Sequence, residues 1–143
     1  MLLIPTTVTF EELVFDDTLA LTIDRQSARL VEEWSDLGPH AAFADAPERR
    51  TIIRLTRRPR TSEPDLIDAL VLGRLGTITA TVGRSAGAAD ARRLAAFCML
   101  TSVRSDLSAP AASRDPEATQ TLTFLAISPD GGPTDPITIT STA

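Results

Sequence analysis

Four stretches of the chain alternate threonine with an apolar residue: Thr18–Arg25, Gly76–Gly83, Thr119–Ala126 and Pro136–Ser141. A period of two sends successive side chains to opposite faces, so each stretch predicts a β-strand with one apolar and one polar face. Val8 and Phe10, also in phase, predict a first strand over Thr6–Phe15. Leu19, Leu21 and Ile23 are expected to share the apolar face of the second strand, with Asp16–Asp17 as the hairpin turn between the two. Thr51–Arg58 predicts a further strand, Ile53 and Leu55 facing one way and Arg54 and Arg58 the other, ended by Pro59.

The remaining segments are less regular. Ala28–Trp34 reads either as a helix, from the spacing of Leu30 and Trp34, or as a strand after a bend at Gln26–Ser27. Leu37–Arg50 carries Gly38-Pro39 and Pro47 and predicts a long loop, ordered by contacts with a neighbour. Ser62-Glu63-Pro64 looks like a helix start, continued by Asp65–Leu72. Arg84–Gly87 predicts a turn into a second short helix around Ala89–Ala95. Phe97–Arg104 extends that helix or starts a strand; the alternation of Phe97, Met99, Thr101 and Val103 favours the strand. Ser108–Pro116 reads as a loop and Pro129–Pro133 as a turn before a last strand at Ile137–Thr142. About seven strands and two short helices predict a mainly β fold with short helices: an antiparallel β-sandwich or barrel with one or two flanking helices. At 143 residues, the chain is expected to form a single domain over 1–143.

Composition narrows the chemistry. Apolar residues make up 43% of the chain but aromatics only 4%, so the core must be built from Leu, Ile, Val and Ala. No run of 18 apolar residues occurs, so no helical membrane span is expected. Met1–Pro5 is too short for a signal-peptide core and lacks a basic start, which predicts synthesis and retention in the cytoplasm. The single cysteine, Cys98, excludes an internal disulfide and reads as a small buried apolar residue. His40, the one histidine, stands beside Pro39 in a loop-like stretch.

The chain has no phosphate-binding glycine loop and no dinucleotide fingerprint. Gly83-Arg-Ser-Ala-Gly87 brackets Ser85 with glycines, but the histidine of an elbow hydrolase follows its serine, whereas His40 precedes Ser85. A tight turn explains those glycines better. Glu11/Glu12 and Asp16/Asp17 are adjacent pairs, and neighbours on a strand point apart, so neither pair converges on one substrate. No cofactor, metal ligand set or catalytic residue is therefore expected.

Charge is the remaining signal. The net charge of −5 disfavours non-specific nucleic-acid binding by the whole surface. Glu11, Glu12, Asp16, Asp17 and Asp24 make the first strands acidic, while Arg49, Arg50, Arg54, Arg57, Arg58 and Arg60 make the centre basic. The two zones read either as a mixed solvated surface or as complementary patches that meet between copies. The candidate inter-subunit contacts are Glu11, Glu12, Asp16, Asp17, Trp34, Arg49, Arg50, Arg54 and Arg58; Trp34 is expected to be a core or interface anchor.

In order of elements the chain resembles the tail-tube proteins of contractile phages and phage-like particles. The features that carry the resemblance are the early strand pair Val8–Arg25, the bent loop Leu37–Arg50 and the central strand Thr51–Arg58. A helix at Pro64–Leu72, then Gly76–Val82, Thr121–Ala126 and Ile137–Thr140, complete it. The resemblance implies a non-enzymatic virion protein whose subunits form hexameric rings around a shared inner barrel. The rings stack into a tube that conducts DNA without binding it specifically. The implied partners are other copies of the chain, a tail sheath and a baseplate, with the protein made in a host cytoplasm and located in the tail. A baseplate or tail-completion ring subunit of related fold, and a small β-type ligand-binding module, are the alternatives.

Overall fold

The computed structural model describes residues 2–3, 5–15, 17–58, 70–82, 91–108, 117–128 and 130–141. They form nine strands: β1 (Leu2–Leu3), β2 (Pro5–Phe10), β3 (Leu13–Phe15), β4 (Thr18–Trp34), β5 (Ala41–Arg57), β6 (Leu75–Val82), β7 (Arg92–Ser108), β8 (Glu117–Ala126) and β9 (Ile137–Ser141). All pair antiparallel in one sheet of order β1-β4-β5-β8-β7-β6-β2-β3, and β9 adds to β7. β8 and β9 lie end to end along one side of β7, opposite Cys98–Ser108 and Arg92–Ala96. The segment between them is an excursion from what is otherwise one line of pairing.

The mainly β antiparallel expectation holds, but the sheet is not closed into a barrel. It curls so that its margins approach at the N-terminal segment: β1 pairs with β4, while β2, just beyond it, pairs with β6. There the Thr18 hydroxyl donates to the Pro5 carbonyl at 3.5 Å. The concave face holds the core: Val8, Phe10, Leu21, Ile23, Ile53, Leu55, Ile78, Leu94, Leu100, Leu122 and Phe124 are buried. The threonines occupy the other face, as the period of two requires: Ile78 and Ala80 are buried while Thr77 is exposed and Thr79 half-buried.

No helix occurs among the described residues. The expected helix start at 62–64, most of 65–72, the turn with Ser85, and 109–116 lie outside them. Where the helix expectations can be read, they fail: 70–72 are irregular, and Arg92–Ala95 belong to β7. Ala91–Leu100 is alanine-rich and suits a helix by propensity, but its residues pair with β6 on one side and β9 on the other. Those ladders override local preference. Cys98 and Leu100, with Leu94 and Ala96, form the buried set of this strand; Phe97 and Met99 face the other way. A bulge between Leu100 and Ser102 then reverses the phase and turns Val103 back toward the core.

Three more expectations change. Thr6–Phe15 is not one strand: it folds back at Glu11–Glu12, with Phe10 opposite Leu13. That two-residue turn, not Asp16–Asp17, is the hairpin, because β4 pairs with β5 and β1 rather than with β3. Glu11 adopts a φ of 52°, a left-handed value that costs a non-glycine residue about 1 kcal/mol. Two bonds to β6 hold it: Glu11 N–H donates to the Thr77 carbonyl at 3.1 Å, and Thr77 N–H donates to Glu11 Oε1 at 2.6 Å. Gly76 makes room for this crossing, since a Cβ there would stand 2.5 Å from Glu11 Cγ. Leu19 does not share the face of Leu21 and Ile23: it sits in a bulge between Thr18 and Ala20 and is exposed. Finally, 41–50 is strand rather than loop, and 28–34 is strand rather than helix, because the two run against each other as one ribbon.

Candidate functional site

The most distinctive feature is that ribbon. β4 and β5 are 17 residues each, yet β1 reaches only Leu21–Thr22 and β8 only Ile52–Arg57. Beyond these, among the described residues, no third strand joins Arg25–Trp34 or Ala41–Arg50. The arm projects as two strands, and all its side chains are exposed except the half-buried Val31 and Ala46. Paired edges alone stabilise such a ribbon poorly. Register breaks at Ser27/Arg29, Arg29/Val31 and Glu33/Trp34 add twist. Pro47, which lacks an N–H, falls in the second break, where two β5 residues oppose Leu30.

The arm has a polarity of charge. From Leu30 to Ala44 it carries Glu32, Glu33 and Asp36 and no arginine. The same stretch exposes Leu30, Trp34, Leu37 and Phe43, with Leu37 at 96%. Trp34 is opposite Ala41 near the tip and is 61% exposed, so it is not a core residue. At the root stand Arg25, Arg49 and Arg50.

An open cleft of about 810 Å³ separates that root from the excursion after β8; Arg25, Asp45, Arg49, Arg50, Ser128 and Asp135 line it. Arg25 donates to Asp135 Oδ2 at 2.8 Å, tying arm to excursion across 110 residues of sequence. The Asp135 carboxyl lies below the usual carboxylate range: burial pushes it up, but bonds from the Ile137 N–H and Arg25 outweigh that. Asp130 is lowered by the Ser128 hydroxyl and the Gly132 N–H, which close the turn beside it. Among the described residues, Arg49 and Arg50 have no ion-pair partner.

The other sequence-predicted contacts are scattered. Glu11 and Glu12 cap the β2–β3 hairpin, far along the sheet order from the arm. Glu12 is lowered below the usual carboxylate range by its bond from Arg74, 2.5 Å away. Asp17 is exposed and its carbonyl accepts from the Arg58 N–H at 3.0 Å; Asp16 lies outside the described residues. Arg54 is on the threonine face and pairs with Asp24 at 3.4 Å. The structure thus groups Trp34, Arg49 and Arg50 on one arm and separates them from the acidic hairpin. Sequence reasoning missed Leu30, Leu37 and Phe43 as exposed apolar positions, and Arg25–Asp135 as a tether. Leu30 and Phe43, each within three residues of a carboxylate, were the available signal.

The threonine face is ordered in rows. One runs Thr22–Arg54–Thr123–Ser102, the next Ala20–Thr56–Thr121–Arg104. Both arginines are neutralised locally, Arg54 by Asp24 and Arg104 by Asp106 at 3.1 Å. A third row, Asp24–Ile52–Leu125–Met99–Leu75, is mostly apolar.

Among the described residues no group of three or more His, Cys, Asp or Glu is placed to hold a metal ion. Cys98 is fully buried, and desolvation pushes its thiol up to about 12. The thiolate is the reactive form, so native Cys98 is expected to resist a disulfide reagent at pH 8 and to react once guanidinium unfolds the chain. Stoichiometric labelling of the native protein within minutes would contradict this. Linkage has the same sign: between pH 9 and about 12 the unfolded thiol ionises before the folded one, so this group lowers stability as pH rises.

Compared with known proteins, the chain matches no family model and no curated protein.

Proposed function

We propose that this chain is a non-enzymatic structural subunit that assembles with copies of itself into rings, and that the rings stack as a phage tail tube conducting DNA. One observation carries the reading: the projecting β4–β5 arm exposes Leu30, Trp34, Leu37 and Phe43 on a ribbon with no third strand. Exposed apolar side chains on an unsupported edge are an aggregation hazard unless a partner covers them. A neighbouring copy is the economical partner, and margins that stop short of a barrel leave edges for neighbours to complete.

The threonine face supports the conducting role. It offers hydroxyls to water, and its Arg54 and Arg104 are held by carboxylates, so phosphates passing over it meet few free cations. A baseplate or tail-completion ring subunit uses the same surfaces without stacking.

Sedimentation velocity and negative-stain microscopy of the purified chain test the reading. Rings or tubes are expected, discrete unstacked rings pointing to the baseplate or completion role. Trp34→Ala is expected to weaken assembly at least tenfold, by removing a large exposed anchor. A monomer at every concentration overturns the proposal.

A further inference from the structure

The arm and the cleft at its root are complementary, and we infer that the arm tip of one copy docks in the root cleft of the next. This rests on the assembly reading above and names the contact that produces it. The tip brings Glu32, Glu33 and Asp36 with Leu30, Trp34 and Leu37, all exposed. The cleft brings Arg49 and Arg50, which lack ion-pair partners among the described residues. Asp45 also faces the cleft, and Asp135 is engaged by Arg25, so the surplus charge of the lining is positive. Within its wall Pro47, Ala126, Pro133 and Pro136 offer flat apolar surfaces for an indole, and a guanidinium stacks on an indole face.

The tip that enters the cleft belongs to another copy. Trp34 is seven residues beyond Ser27 on β4, about 23 Å at the rise of a strand, and both lie on the same ribbon. A ribbon cannot fold its tip back onto its own root while β4 and β5 stay paired. A tip-to-root contact is head-to-tail, and such contacts generate rings when the rotation closes and filaments when it does not. The tether between Arg25 and Asp135 shapes the cleft before docking, so a neighbour need order only its own side chains.

Charge reversal tests this on the full chain. Arg49→Glu/Arg50→Glu makes the cleft acidic, and Glu32→Arg/Glu33→Arg makes the tip basic. All four side chains are exposed, and unchanged circular dichroism and melting temperature will establish that both variants fold. Each variant alone is expected to lose assembly at least tenfold, because like charges now face each other. Mixed in equal amounts, each variant's tip matches the other's cleft, and assembly is expected to return with the two alternating. Variants that assemble like the parent, or a mixture that stays dissociated, overturn the docking inference while leaving ring assembly intact. A parent chain that is monomeric throughout removes the assembly reading and this contact with it.

Discussion

Phe124→Ala is expected to lower the unfolding free energy by about 4 kcal/mol, the typical loss for a buried phenylalanine cut to alanine. For a chain of this size that corresponds to a drop of roughly 10 °C in melting temperature. Phe124 is fully buried, and its ring stands 5.0 Å from that of Phe10 at a tilt of 54°. The two strands are not neighbours: β7 and β6 lie between β8 and β2 in the sheet. The contact therefore spans the concave side and fastens one half of the curled sheet to the other. With so few aromatics in the chain, nothing nearby can replace that volume. Phe10→Ala should cost a similar amount, and a double-mutant cycle should return about 1 kcal/mol of coupling for the tilted ring pair. Denaturant unfolding of the four proteins measures both. Single losses under 1 kcal/mol would mean that the rings are not packed across the core.

The strands that carry this core were legible because each has a dry and a wet face. Ile78 and Ala80 against Thr77 and Thr79, or Leu122 and Phe124 against Thr121 and Thr123, write their burial directly into a period of two. The arm has no such record. Both its faces are wet, so its residues need not alternate, and Gly38, Pro39 and Pro47 read as loop even though Pro47 is absorbed at a register break. β7 was obscured differently: alanine carries little face information, so the buried set Leu94, Ala96, Cys98, Leu100 was read as helical at its start. For the candidate contacts, residue type was readable and grouping was not. Arg50 and Arg54 are close in sequence, yet one lines the cleft and the other sits in a row of threonines paired to Asp24. That division depends on where β8 stops pairing with β5, a long-range fact.

Arg57 shows that parity can outrank residue type. It stands two residues beyond Leu55 and four beyond Ile53, in phase with the core, and it is only 1% exposed. Its Nε donates to Gln120 Oε1 at 3.0 Å, and its guanidinium lies 5.3 Å from the Phe15 ring centroid. Gln120, on the paired position of β8, is itself buried. Arg57→Ala is expected to cost about 3 kcal/mol: the methylene stem's packing is lost, and the Gln120 amide keeps a buried acceptor with one donor fewer. Arg57→Met keeps most of the stem and should cost less. Pairing it with Gln120→Leu removes both ends of the hydrogen bond, and two apolar groups in place of a polar pair approach neutrality. The double variant is therefore expected to be more stable than Arg57→Met alone, despite carrying one more change. Equilibrium unfolding of the three variants decides it. If Arg57→Met/Gln120→Leu is the least stable of them, Gln120 contributes more to the core than accepting from Arg57, since the guanidinium is absent from all three.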